Sequence, residues 1–259
     1  MKWIFIACAF LISVESSAAS LTLKTETGDV VSAEYSRPKS GSASKGVLLV
    51  HMERGSSGDW FYLTQRLNRA GLNTLSIDLR GHGNSPIQKN KLEKPDYSAM
   101  KQDVQVGVNW LAKKGFDEII VVGAVLGANL ALQVAVSDPR VSRVALLSPG
   151  LNIRGLRADL LINEYGQRPL YMAVSVEDSY STKTSLLLDS QVNGPTKVEV
   201  LAGAGKGTYM LDKDPNLITS LQNWLNSDPN ADDAIKISLE APTGDLEKLE
   251  TSGEKLPGF

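Results

Sequence analysis

Two histidines, His51 and His82, are the only side chains in this sequence that ordinarily titrate near neutrality. His51 directly follows the apolar run Val47–Val50, and His82 lies in Asp78-Leu79-Arg80-Gly81-His82-Gly83-Asn84-Ser85. Other groups with chemical potential are spread along the chain. They are Glu53 and Arg54 just after His51, Asp178 after the run Leu170–Val176, and Lys206 within Gly203-Ala204-Gly205-Lys206-Gly207. A histidine oriented by a carboxylate can move a proton, but covalent catalysis also needs a nucleophile within its reach. Ser148 supplies a hydroxyl, yet its Ser148-Pro149-Gly150 setting reads as a turn and no base is evident beside it. Gly123-Ala124-Val125-Leu126-Gly127 has a tight glycine-flanked turn with valine at its tip, a side chain with no lone pair and no proton to lose. No metal-ligand spacing or phosphate-cradling glycine loop is present, so neither metal nor cofactor is expected.

The elements that must position these residues follow from periodicity. Leu21–Thr27 and Val31–Tyr35 alternate around Gly28-Asp29 and predict a β-hairpin. Arg37–Lys45 reads as a loop. Further strands are expected at Val47–Val50, Leu72–Leu79, Glu118–Gly123, Val141–Leu147, Leu170–Val176 and Lys197–Leu201. Helices are expected at Trp60–Ala70, Tyr97–Lys114, Leu126–Val136 and Pro215–Leu225, with Val104, Val108 and Leu111 at helical spacing. Strands alternating with helices predict an α/β class with a mostly parallel sheet of about eight strands, covered on both faces, and an N-terminal antiparallel hairpin at one edge.

The two ends differ from the middle. Lys2, the apolar run Trp3–Val14 and the small residues Ser17-Ala18-Ala19 have the pattern of a signal peptide over 1–19, and the apolar run is shorter than the ~20 residues a spanning helix needs. Export to a periplasm or outside the cell is therefore expected, with no membrane association after cleavage. Cys8, the only cysteine, lies inside that run, so no disulfide framework is expected in the mature domain. Residues 20–226 are read as one domain. Residues 227–259 carry eight acids and three lysines, a net charge of about −5, with Pro229, Pro242 and Pro257, and read as an acidic tail that does not fold on its own. A weak alternation at Ile235, Ile237 and Leu239 reads as a short strand or docking segment. The whole chain has a formal charge of −2 and no basic cluster, which argues against nucleic acid as a partner.

In their order, five of these segments resemble the α/β-hydrolase superfamily over about residues 45–226. Val47–His51 looks like the strand entering an oxyanion loop, and Asp78–Ser85 looks like the family's DxRGHGxS loop. Gly123–Gly127 stands where the family has G-x-S-x-G, Ser175–Asp178 where it has the triad acid, and Gly203–Gly207 where it has the histidine. The short connection after Leu147 resembles members with little or no lid, such as small esterases and dienelactone-hydrolase-like proteins. The resemblance implies that Val125, Asp178 and Lys206 occupy the places of nucleophile, acid and base. It also implies that the backbone N–H groups of Met52 and Leu126 form the oxyanion hole. His51, Glu53 and Tyr209 are candidates to line the cleft, with Tyr165 and Tyr180 weaker ones.

That pattern is degenerate. Val125 cannot attack a carbonyl, and a lysine of ordinary pKa about 10.4 is protonated and cannot take a nucleophile's proton. In a serine hydrolase, losing nucleophile or base costs on the order of 10⁶ in turnover. The elbow turn places its tip at positive φ, where a β-branched residue is an outlier, so either the turn has relaxed or Val125 is held under strain. Lys206 beside Asp178 suggests a salt bridge in place of the His–Asp pair, whose cation either satisfies the acid or binds an anion. The leading functional reading is a non-catalytic pseudohydrolase that binds a small apolar or anionic molecule or a protein. The alternatives are an atypical ester or lactone hydrolase and an interaction protein acting through its acidic tail.

Overall fold

The structure, a computed structural model, describes residues 17–39, 44–86 and 94–228. The expectations for residues 1–16 of the signal segment and for the acidic tail from Pro229 fall outside them. Eight strands form one sheet: β1 (Ser17–Lys24), β2 (Val30–Arg37), β3 (Lys45–Val50), β4 (Asn73–Ile77), β5 (Glu118–Ala124), β6 (Val141–Leu147), β9 (Leu170–Ser175) and β10 (Thr196–Leu201). Their spatial order is β1-β2-β4-β3-β5-β6-β9-β10. β1 pairs antiparallel with β2, and β2 antiparallel with β4. Every other pairing in this sheet is parallel. This is the expected α/β sheet, with the hairpin at one edge.

The strands alternate between two cores. Leu48, Val50 and Val121 point to one face, under α2 (Lys94–Lys113), α3 (Leu126–Ser137) and α4 (Ser179–Gln191). Val47, Leu49, Ile120 and Val122 point to the other, under α1 (Phe61–Arg69) and α6 (Pro215–Asn226). The period-2 split explains why β3 and β5 read as nearly unbroken apolar runs: both of their faces are covered. Val104, Val108 and Leu111 of α2 are all fully buried, as the spacing of the stripe requires. α6 ends on a buried ionic foot. Arg143 donates to the carbonyls of Trp224, Leu225 and Ser227 and pairs with Glu118 at 2.7 Å, satisfying helix-terminal acceptors at the strands' N-terminal ends.

Two features lie beyond what periodicity predicts. The connection from β6 to β9 holds a minimal hairpin, β7 (Asn152–Ile153) and β8 (Leu156–Arg157), followed by a single 3-10 turn at Ile162–Tyr165. Its two-residue turn has Arg154 at φ 54 and Gly155 at φ 90, the signs a type I′ turn needs. A helix α4 also spans the serine- and threonine-rich Ser179–Gln191, and a short α5 (Tyr209–Lys213) follows the glycine loop. No helix among the described residues is long and apolar enough to cross a membrane.

Candidate functional site

One residue separates the last strand position of β5 from the first turn of α3, and that residue is Val125, at φ 49 and ψ −103. The relaxed turn is therefore excluded. The chain is forced into this reversal from both sides. A Cβ on Gly123 would meet the Gly127 carbonyl oxygen at 2.2 Å, and a Cβ on Gly127 would meet the Val50 carbonyl oxygen at 2.2 Å. Only glycine at both positions lets α3 start so close to β5 and β3. The tip's own backbone is fully committed. Val125 N–H donates to Leu147 O at 2.8 Å, and its carbonyl accepts from Ala128 and Asn129 at 3.1 and 3.2 Å. A strained conformation persists where its surroundings over-determine it in this way.

Facing the tip is the loop after β10. A Cβ on Gly207 would fall 2.8 Å from Met52 Sδ and 2.9 Å from Val125 Cγ2, so both side chains pack against Gly207 at the elbow. Ser148 fastens that contact. It is fully buried at φ 53, and its Oγ accepts the Gly207 N–H at 2.9 Å. Ser148 thus has the structural turn role read from sequence, and its oxygen is occupied. Among the described residues, the backbone N–H groups of Met52 and Leu126 donate to no acceptor. These are the two N–H groups expected from the sequence for an oxyanion hole.

Asp178 lies where β9 gives way to α4 and serves as that helix's N-cap, its Oδ1 accepting from Ser181 N–H at 3.3 Å. Lys206 Nζ stands 3.3 Å from Asp178 Oδ2, an ion pair without hydrogen-bond geometry. The expected salt bridge is thus present. Lys206 is 44 % exposed and Asp178 only 11 %, so the cation reaches in from solvent to an acid that is mostly covered.

The other predicted residues divide. His51 is fully buried, and its Nε2 accepts from Leu79 N–H at 3.0 Å while its Nδ1 lies 2.7 Å from Met52 O. The accepting Nε2 fixes the tautomer with the proton on Nδ1, donated to Met52 O. Burial holds the imidazole down at a pKa of about 4. His51 is therefore a neutral strut between two loops; it does not line an open cleft, because both nitrogens are already used. His82 tilts against it at 5.1 Å and contacts Arg80 O. Glu53 does not project freely at the mouth. It accepts from Tyr97 Oη at 2.9 Å and from Arg154 at 2.8 Å. Burial pushes the Glu53 carboxyl up, but the bonds from Arg154 and Tyr97 prevail and leave it below its ordinary value. Tyr209 opens α5 with its ring 61 % exposed, on the rim. Of the weaker candidates, Tyr165 is buried in the core, and Tyr180 is spent on the backbone of Asn152.

Sequence reasoning missed two supports of the site. Asp78 binds the oxyanion-side loop through Ser57 N–H at 2.6 Å and its own loop through Asn84 N–H at 2.7 Å. Arg80 makes a buried multidentate pair with Asp103 of α2, with Nη2 to Oδ1 at 2.6 Å. The signal available was Asp103, the lone acid on the apolar stripe of a helix. Among the described residues no group of three His, Cys, Asp or Glu side chains could share a metal ion.

With this geometry in view, a family model described as alpha/beta hydrolase fold matches residues 46–170. Among solved structures, the esterase Pf2001 of Pyrococcus furiosus superposes with a TM-score of 0.65 at 15 % identity, over 81 % of this chain and 92 % of that one. The dienelactone hydrolase of Anabaena variabilis ATCC 29413 gives 0.65 at 17 %, over 82 % and 95 %. Est1E of Butyrivibrio proteoclasticus, solved with ferulic acid bound, gives 0.65 at 15 %, over 80 % and 96 %. No curated protein matches in sequence.

Proposed function

We propose that the chain, which has the α/β-hydrolase fold, is a non-catalytic, exported member of that superfamily that works by binding. The observation that carries this reading is Val125 at the tip of a positive-φ elbow, with Gly207 packed against its side chain. A valine there cannot form an acyl intermediate. The base position supports the same reading, because Lys206 stands there in place of a histidine and is paired with Asp178 at 3.3 Å. His51, with both nitrogens engaged and a depressed pKa, is no substitute base. Lys2 followed by the apolar run Trp3–Val14 supports export, while Ser17-Ala18-Ala19, read as its cleavage site, begin strand β1.

The ligand chemistry follows from what the site keeps. Two unspent N–H donors and a half-exposed ammonium favour a carbonyl or carboxylate group over a purely apolar molecule. The test is turnover of short-chain aryl esters by purified protein, with Asp178→Ala as control. Binding of a carboxylate ester without turnover is the expected result. Sustained turnover abolished by Asp178→Ala would overturn the reading and establish an atypical esterase. Export is tested separately, by fractionating cells that express the full chain.

A further inference from the structure

A groove of about 710 Å³ runs between α1 and the α5–α6 corner. Its apolar lining is Tyr62 and Leu211 with Ile218, and its α1 wall carries Arg66 and Arg69. Arg66 reaches Thr219 Oγ1 across the groove at 3.3 Å, and neither arginine has an ion-pair partner among the described residues. Asp212, on the α5 rim, is the acid among the lining residues. The surface is therefore an apolar trough with an unneutralised cationic wall, on a chain whose net charge is negative.

The geometry points to the chain's own acidic C-terminal segment as the occupant of this groove, with Asp245-Leu246-Glu247-Lys248-Leu249-Glu250 as the seated stretch. Three observations support that choice over a foreign peptide. The segment after Asp228 is 31 residues long and carries seven acids against three lysines. It leaves from the foot of α6, the helix that forms one wall of the groove. α6 is about 18 Å long at 1.5 Å per residue, so roughly six extended residues return to its Pro215 end. The residues between Asp228 and Asp245 span that distance with slack. Leu246 and Leu249 match the apolar floor, and Asp245, Glu247 and Glu250 match Arg66 and Arg69. Tethering raises the local concentration of such a segment to the millimolar range, enough for weak contacts to hold it. This inference does not depend on whether the elbow is catalytic.

The experiment uses the full chain with Cys8→Ser and Lys248→Cys, carrying a nitroxide on the new thiol, and reads amide intensities by NMR. Amides of Arg66, Arg69, Ile218 and Thr219 should lose at least half their intensity relative to the reduced label. The loss should disappear in Arg66→Glu/Arg69→Glu. It should also disappear in Asp245→Asn/Glu247→Gln/Glu250→Gln, a variant that leaves the folded domain unaltered. Broadening centred elsewhere, or unchanged by both charge variants, would overturn the proposal. So would broadening of unlabelled ¹⁵N chain by spin-labelled ¹⁴N chain, which would place the segment on a second copy.

Discussion

Val125→Gly and Val125→Ala should differ in stability with the opposite sign to that seen at ordinary positions. Both variants remove the Val125 methyl that lies against Gly207. Full burial of a valine is worth about 1.5–3 kcal/mol, and Val125 is only partly buried, so roughly 1 kcal/mol is lost in each. That loss nearly cancels in the comparison, leaving the backbone. In an unstrained position glycine is less stable than alanine by roughly 0.5–1 kcal/mol, because it orders more on folding. At φ 49 and ψ −103, alanine keeps a strain of about 1–3 kcal/mol from which glycine is free. Glycine should therefore exceed alanine by about 1 kcal/mol. With a urea slope of roughly 2–3 kcal/mol/M this is a midpoint difference of about 0.4 M, readable by fluorescence of the four tryptophans. Ala135→Gly, buried in the regular part of α3, is the control and should destabilise. If Val125→Ala equals or exceeds Val125→Gly while the control behaves normally, the elbow is not strained in solution and the account given above fails.

Four further outcomes follow. His51 is held neutral with its pKa lowered from 6.5 to about 4, so the unfolded chain binds the extra proton first. Its contribution, at most roughly 3 kcal/mol, is full above pH 6.5 and is lost as pH falls toward 4; a flat urea midpoint across that window would contradict it. Asp138, lowered to about 2 chiefly by the hydrogen bond from Arg140, should add a separate loss only below its ordinary 3.8, seen as a second descent in the same titration. Asp103→Asn removes the buried carboxylate of Arg80 and leaves the more exposed Asp29 at 3.3 Å, so it should cost up to about 3 kcal/mol, less than stranding a wholly unpaired buried charge, whereas Lys206→Ala at a half-exposed pair should cost under about 1 kcal/mol, less in high salt; thermal melts of the two variants would show the contrast. Val125→Ser/Lys206→His places a nucleophile and a base beside Asp178 and the free Met52 and Leu126 donors, and should raise aryl-ester turnover at least ~10-fold over the parent, since a positioned base is worth ~10²–10⁴. No rise would mean that the closed elbow does not admit an ester.

Much of this architecture was readable because apolar runs bounded by turn residues encode strands buried on both faces, and β3 and β5 are such strands. What stayed hidden shares a physical cause. The β7–β8 hairpin has strands of two residues, too short for any period, and is held by tertiary bonds from Asn129 to Gly150 O and Leu156 O. α4 has a serine- and threonine-rich sequence of poor helix propensity, and its helix is secured by the Asp178 cap and by packing of Leu188. The chemical identity of the tip, the acid and the cation could be read residue by residue. That Gly207 closes on Val125 could not, because it depends on Ser148, 59 positions away, holding the Gly207 N–H.

The persistence of the strained elbow without a nucleophile has a structural explanation. Strain at an active site is usually attributed to catalysis, yet here a valine endures the same conformation. Gly127 lies against the Val50 carbonyl and Gly123 against Gly127, so the reversal is dictated by how closely α3 packs on β3 and β5, whatever stands at the tip. Relaxing Val125 would require withdrawing α3, whose apolar side chains are buried along almost the whole helix. Separating that interface costs several side chains' worth of burial, each about 1.5–3 kcal/mol, against about 1–3 kcal/mol of strain. The helix stays and the tip remains strained. On that reasoning the free N–H groups of Met52 and Leu126 are by-products of the same packing. They persist with valine at the tip because the core cannot release them, and on the proposed reading they are the donors a bound carbonyl or carboxylate would meet.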